Sequence, residues 1–102
     1  MALYYLRFHP GFIDELENAI TYYNEQSKTI AAKFRGAVKK QLNLIKKNPL
    51  SRSVRYDDIR FARIDKFPYA IHYSIDIANN CVLAHSLICD YQNPNVHWKK
   101  RL

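Results

Sequence analysis

Two histidines, His72 and His85, follow two arginines, Arg60 and Arg63, in the second half of a chain of 102 residues. A histidine exchanges protons near neutral pH, and a guanidinium can stabilise charge on a phosphorane. Arg60 with His72 or His85 and a nearby tyrosine is therefore a set suited to general acid–base cleavage of RNA. The same side chains on a sheet face serve equally well as hydrogen-bonded structural groups. Cys81, His85 and Cys89 recur at intervals of four, which on a helix would stack three metal-binding groups on one stripe. The intervening residues read instead as a buried strand, where groups four apart stand about 13 Å from one another and cannot share a zinc. Neither a metal nor a cofactor is expected. No Ser-His-Asp order or paired-carboxylate pattern stands out, and two glycines are too few for a phosphate-cradling loop.

These groups need elements to hold them. Leu3 to His9 reads as a short first strand ended by His9-Pro10-Gly11. From Phe12 the apolar residues Ile13, Leu16, Ala19, Ile20 and Tyr23 keep helical spacing as far as Gln26. Ser27 can cap a second helix with an apolar face of Ile30, Phe34, Ala37, Val38, Gln41, Leu42 and Ile45, ending at Asn48-Pro49. So short a connection makes the two helices an antiparallel hairpin. Beyond Pro49, β-branched and aromatic residues predict strands at about 54 to 64, 69 to 77 and 81 to 89, the last two joined by a tight turn at Asn79-Asn80. The stiff Phe67-Pro68-Tyr69 corner separates the first of these from the second. The predicted fold is α+β, in the order β-α-α-β-β-β: an antiparallel sheet with a helical hairpin on one face, forming a single domain over 1–102.

A two-residue turn would place Ile71, Tyr73, Ile75 and Ile77 with Val82, Ala84, Ser86 and Ile88 on the core face. Ala70, His72, Ser74 and Asp76 would then share the opposite groove with Leu83, His85, Leu87 and Cys89. Arg60 and Arg63, three apart on a strand, face opposite sides. If Ile59 and Phe61 face the helices, Arg60 joins the groove and Arg63 snorkels at the edge.

The chain carries 16 Lys+Arg against 9 Asp+Glu, a net charge of +7, which favours an anionic partner such as nucleic acid or an acidic protein. Charge is also segregated. Asp14, Glu15, Glu17 and Glu25 lie on the first helix, and Lys28, Lys33, Arg35, Lys39, Lys40, Lys46 and Lys47 on the second. Side-by-side packing would turn part of this contrast into a rim of weak surface ion pairs. If Cys81 and Cys89 share a strand they stand roughly 26 Å apart, beyond disulfide reach. No export signal or membrane-spanning run is evident, so a reduced, cytoplasmic protein without membrane contact is expected.

Several of these features occur together in one order: Tyr22-Tyr23 on helix one, Asn48-Pro49 after helix two, Ile59-Arg60, Phe67-Pro68-Tyr69, and finally Asn93-Pro94, Trp98 and Arg101. In this order and spacing the chain resembles the RelE/ParE superfamily of toxins from type II toxin–antitoxin systems, on its ParE-like side. The resemblance implies a cytoplasmic toxin involved in growth inhibition and plasmid stabilisation, inhibiting DNA gyrase by binding and neutralised by a cognate antitoxin. It implies target contacts through Arg60, Arg63, Gln92, Trp98, Lys99, Lys100 and Arg101, and antitoxin contacts through Tyr22, Tyr23, Phe34 and Val38. Cys89 and Gln92 stand where ParE-like members often carry histidine and arginine, making the terminal element less basic than the family pattern. Two alternatives stay open. One is a RelE-like, ribosome-dependent messenger-RNA endoribonuclease using Arg60 with His72 or His85. The other is a degenerate toxin paralogue that retains only antitoxin binding.

Overall fold

Two polar residues set the ends of the helical hairpin. The computed structural model describes residues 4–90, and in it His9 caps helix α1 (Pro10–Gln26) with Nδ1 accepting the Gly11 N–H at 2.9 Å. Pro10 begins the helix, where its missing N–H costs nothing. Ser27 both ends α1, donating its N–H to the Tyr23 carbonyl, and starts α2 (Lys28–Lys47), accepting the Ile30 N–H on Oγ at 3.3 Å. With a single residue between them the helices turn back on each other, as their sequence spacing predicts. A 3-10 turn at Pro49–Ser51 follows.

The strands are β1 (Tyr5–Phe8), β2 (Val54–Tyr56), β3 (Ile59–Arg63), β4 (Tyr69–Asp76) and β5 (Cys81–Cys89), in the sheet order β1-β5-β4-β3-β2. The α+β class and the two-helix, one-sheet plan match the sequence reading, with two refinements. The expected strand at 54 to 64 is a small hairpin, because Asp57 takes a φ of 48°, a left-handed conformation that Asp tolerates better than most residues. The sheet is also mixed: β1 runs parallel to β5, and the other pairings are antiparallel. The helical hairpin carries the chain from β1 across to β2 at the far edge, and the antiparallel strands bring it back to β5 beside β1.

One face of the sheet packs on the helices. Phe12 and Ala19 from α1, with Phe34, Val38 and Ile45 from α2, close over Ala62, Ile71, Tyr73, Val82, Ala84 and Leu87. Burying each of the larger apolar side chains contributes roughly 1.5–3 kcal/mol. The Phe34 ring anchors an aromatic knot with Tyr23, Phe67 and Tyr69, at centroid distances of 5.0, 5.0 and 5.3 Å. The Phe67-Pro68-Tyr69 corner thereby ties the β3–β4 turn to both helices.

Register in the β4–β5 hairpin differs from the expected one. Asp76 opposes Cys81, so the loop covers Ile77 to Asn80. Asp76 accepts the Asn79 backbone N–H, and Asn80 adopts a φ of 51°. Two extra loop residues on top of the expected turn preserve the faces nearby, which keeps Tyr73, Ile75, Val82 and Ala84 inward, while Ile77 is left exposed in the loop. The larger departure is a bulge. His72 opposes Ser86 whereas Tyr73 opposes Ala84, so the register shifts across the intervening His85. Beyond it the alternation of β5 is reversed. Leu87, assigned from sequence to the groove, enters the core, and Ser86 and Ile88, assigned to the core, share the outer face with His72 and Ala70.

Candidate functional site

The bulge gathers polar side chains on the outer sheet face, away from the helices. His85 Nε2 and Ser74 Oγ share a hydrogen bond of 2.7 Å, and the Tyr56 hydroxyl lies 3.1 Å from His72 Nδ1. Phe61 stacks on His72 at a centroid distance of 3.9 Å, and the Arg55 guanidinium lies over the Phe61 ring at 5.3 Å. The two histidines expected to be diagonal neighbours do share this face, with His72 opposite Ser86 and His85 at the bulge. Their accessibility is another matter: each is 1% exposed. Burial, helped by the neighbouring His85, pushes the His72 imidazole down to about 4, so it is neutral at physiological pH. A neutral imidazole can accept a proton, but one buried this deeply has no room for a phosphodiester beside it. Tyr56 was missed as a partner of His72 because its place depends on a hairpin that the continuous strand reading did not contain, and Phe61, which opposes His72 in the β3–β4 ladder, because it was assigned to the helix face.

Arg60 does not belong to this face. It pairs with Tyr73, a core residue, and opposite residues in an antiparallel ladder point to the same side, so Arg60 lies on the helix side and donates to the Arg52 carbonyl. The expectation that Ile59 and Phe61 face the helices is corrected accordingly. Ala62 is the inward residue of β3, and its small side chain is a weak signal beside two larger apolar neighbours. Arg63 lies at the end of β3 and forms a bidentate pair with Asp90, which raises its pKa further. Both groups are exposed, so this pair adds little stability. Arg60 is thus on the opposite side of the sheet from His72 and His85, and the expected set of Arg60 with either histidine does not assemble.

Of the residues expected to contact an antitoxin, Tyr22 is 56% exposed, Tyr23 is half-buried in the aromatic knot, and Phe34 and Val38 are in the core at 0% and 2%. Phe34 and Val38 are therefore corrected to core residues: they point between the helices and the sheet, where no partner reaches them. Beside Tyr22 is a cleft of about 350 Å³ between α1 and the sheet, lined by Glu15, Asn18, Tyr69, Leu87 and Cys89 among others. Glu15 accepts the Leu87 N–H at 3.1 Å, and β1 ends opposite Ala84, so this carboxylate takes a strand N–H beyond the reach of the parallel ladder. Burial, with Cys89 and the tyrosines nearby, pushes Tyr69 up to about 12, and it stays protonated. Cys81 and Cys89 lie at opposite ends of β5 and are not joined by a disulfide. Gln92, Trp98, Lys99, Lys100 and Arg101, together with Asn93-Pro94, lie outside the described residues.

No helix among the described residues is long and apolar enough to cross a membrane. The expected rim of ion pairs between the two helices does not form: among the described residues, no ion pair involves a lysine or arginine of α2. Compared with known proteins, the chain matches the family model described as "ParE toxin of type II toxin-antitoxin system, parDE" over residues 6–85. No curated protein matches it.

Proposed function

Because the chain belongs to the ParE toxin family of type II toxin–antitoxin systems, we propose that it acts by binding DNA gyrase, without chemistry of its own, and is neutralised by a cognate antitoxin. The observation carrying this reading over cleavage of messenger RNA is the burial of His72 and His85, at 1% each, with Arg60 on the other side of the sheet. General acid–base catalysis needs its groups within hydrogen-bond reach of the reacting atoms, and these lack that access. Gyrase contact is assigned to Arg63 and to the basic terminal residues Trp98 to Arg101, and antitoxin contact to the exposed Tyr22 and the cleft beside it. The net charge of +7 suits an acidic antitoxin, with rim charges raising the association rate and apolar contacts supplying most of the affinity.

The test is expression without an antitoxin. Growth should arrest, co-expression of the open reading frame beside this one should relieve the arrest, and deleting Trp98 to Leu102 should abolish it while the circular dichroism spectrum stays native. Arrest that survives the deletion would contradict the assigned gyrase contact. Failure of the neighbouring product to bind or rescue would remove the toxin–antitoxin pairing.

A further inference from the structure

Helix α2 lies in the longest acid-free stretch of the chain: no Asp or Glu occurs between Glu25 and Asp57. Its cations form two rows. At about 100° per residue, Lys28, Arg35, Lys39 and Lys46 fall within about 40° of one another, and Lys33, Lys40 and Lys47 fall within about 40° on a line about 120° away. From Lys28 to Lys47 the helix runs about 28 Å. Between the rows, opposite the core stripe of Phe34, Val38 and Ile45, is a bare, exposed strip of Thr29, Ala32, Gly36 and Asn43.

Two features of this face have no explanation inside the fold. Among the described residues no ion pair involves a lysine or arginine of α2, although the neighbouring α1 exposes Asp14, Glu17 and Glu25. Gly36 stands in the middle of the helix, where glycine is unfavourable relative to alanine. A Cβ there would meet nothing within 4 Å, and no glycine has a positive φ, so neither packing nor backbone conformation calls for glycine at this place. The nearest acidic groups lie to either side: those of α1 on one flank, and on the other Asp65 of the β3–β4 turn, in a cleft that Lys33 and Lys40 border. They bound the basic face without entering it.

We infer that the outward face of α2 binds the phosphate backbone of duplex DNA without regard to sequence. The backbone lies along the bare strip, where Gly36 and Ala32 let it approach closely, and the two rows of cations reach it from both sides. The face has nothing with which to hold the other anionic partners. An acidic helix needs an apolar seam, a single strand needs aromatic side chains to stack its bases, and an anionic membrane needs an apolar face to insert. The strip offers a methyl group, a glycine and two short polar side chains. Choosing DNA over an RNA duplex rests on the gyrase reading above, since a toxin seated on gyrase stands beside the DNA that the enzyme handles. The α2 face then adds a contact to DNA beside the contact to the enzyme.

The probes are two fluorescein-labelled DNA duplexes of unrelated sequence, followed by anisotropy against the full chain from 50 to 200 mM salt. A DNA single strand, an RNA duplex and polyglutamate, each of matched charge, compete. The two duplexes should bind within about threefold of each other, with a log–log salt slope near −4 for about four phosphates engaged. Lys33→Gln/Lys40→Gln and Arg35→Gln/Lys39→Gln, one pair from each row, should each weaken binding about tenfold or more and flatten the slope by about 2. Arg7→Gln/Lys66→Gln removes the same charge elsewhere and should weaken it no more than about threefold. Gly36→Leu fills the strip without changing charge; it should raise the melting temperature and still weaken binding about threefold or more. All these positions are exposed, and melting curves check that each variant folds. No binding at 50 mM salt, equal losses from the row and control variants, full affinity in Gly36→Leu, or tighter binding of any competitor would each overturn the inference. Binding to purified gyrase without DNA is scored separately, so a failed α2 face and a failed gyrase reading give different results.

Discussion

Replacing Phe34 with alanine distinguishes a core side chain from a partner contact. The ring is 0% exposed and lies within 5.0 to 5.3 Å, centroid to centroid, of Tyr23, Phe67 and Tyr69. Phe34→Ala removes the ring's transfer free energy and leaves a cavity that three aromatic neighbours cannot readily fill, for a loss of about 3–5 kcal/mol. Since a domain of this kind has only about 5–15 kcal/mol of stability, the variant loses a large fraction of it. Its melting temperature should fall by at least about 12 °C, taking about 4 °C per kcal/mol as the lower bound for a domain of this size. Tyr22→Ala is the counterpart: at 56% exposure it should cost less than about 1 kcal/mol while weakening antitoxin binding. Urea unfolding of both variants, fitted with a common slope, reads the difference directly. A Phe34→Ala loss below about 1 kcal/mol, with weakened partner binding, would show that the ring belongs to a partner surface after all.

Acid should act on the outer face of the sheet. His72 falls from its ordinary 6.5 to about 4 in the folded state, so between those values the unfolded chain binds more protons and stability declines as pH drops. The decline should be flat above 6.5 and reach roughly 3 kcal/mol by pH 4, and His72→Phe should remove most of it; an unchanged slope in the variant would refute the assignment. Glu15→Ala should cost about 1 kcal/mol by leaving the Leu87 N–H without its acceptor, and Glu15→Gln, which retains a carbonyl oxygen, should restore most of that in urea unfolding. Tyr73→Phe removes a buried hydroxyl that donates to the Pro49 carbonyl at 2.7 Å, and should cost about 1–3 kcal/mol in the same assay.

The helical hairpin was legible because periodicity and capping agree: Ser27 ends one amphipathic stretch and begins another. The inward face of the distal β4–β5 hairpin was also legible from alternation, since lengthening the loop by two residues leaves faces unchanged. What escaped depends on single backbone events. Asp57 at positive φ divides one apparent strand into two, and the His85 bulge inverts every later side chain of β5; neither residue type demands its conformation. The site suffered most, since a set of Arg60 with His72 or His85 needs the arginine on the histidines' face, and Arg60 is on the helix side.

The central claim is that the toxin stops its target by binding and not by cutting. Its most direct test is the supercoiling of relaxed plasmid by purified gyrase, titrated with the purified chain, beside mapping of messenger-RNA ends on translating ribosomes. Dose-dependent loss of supercoiling, reversed by the antitoxin and unaccompanied by new RNA ends, is the predicted result. Untouched supercoiling together with cuts at fixed codon positions would contradict it.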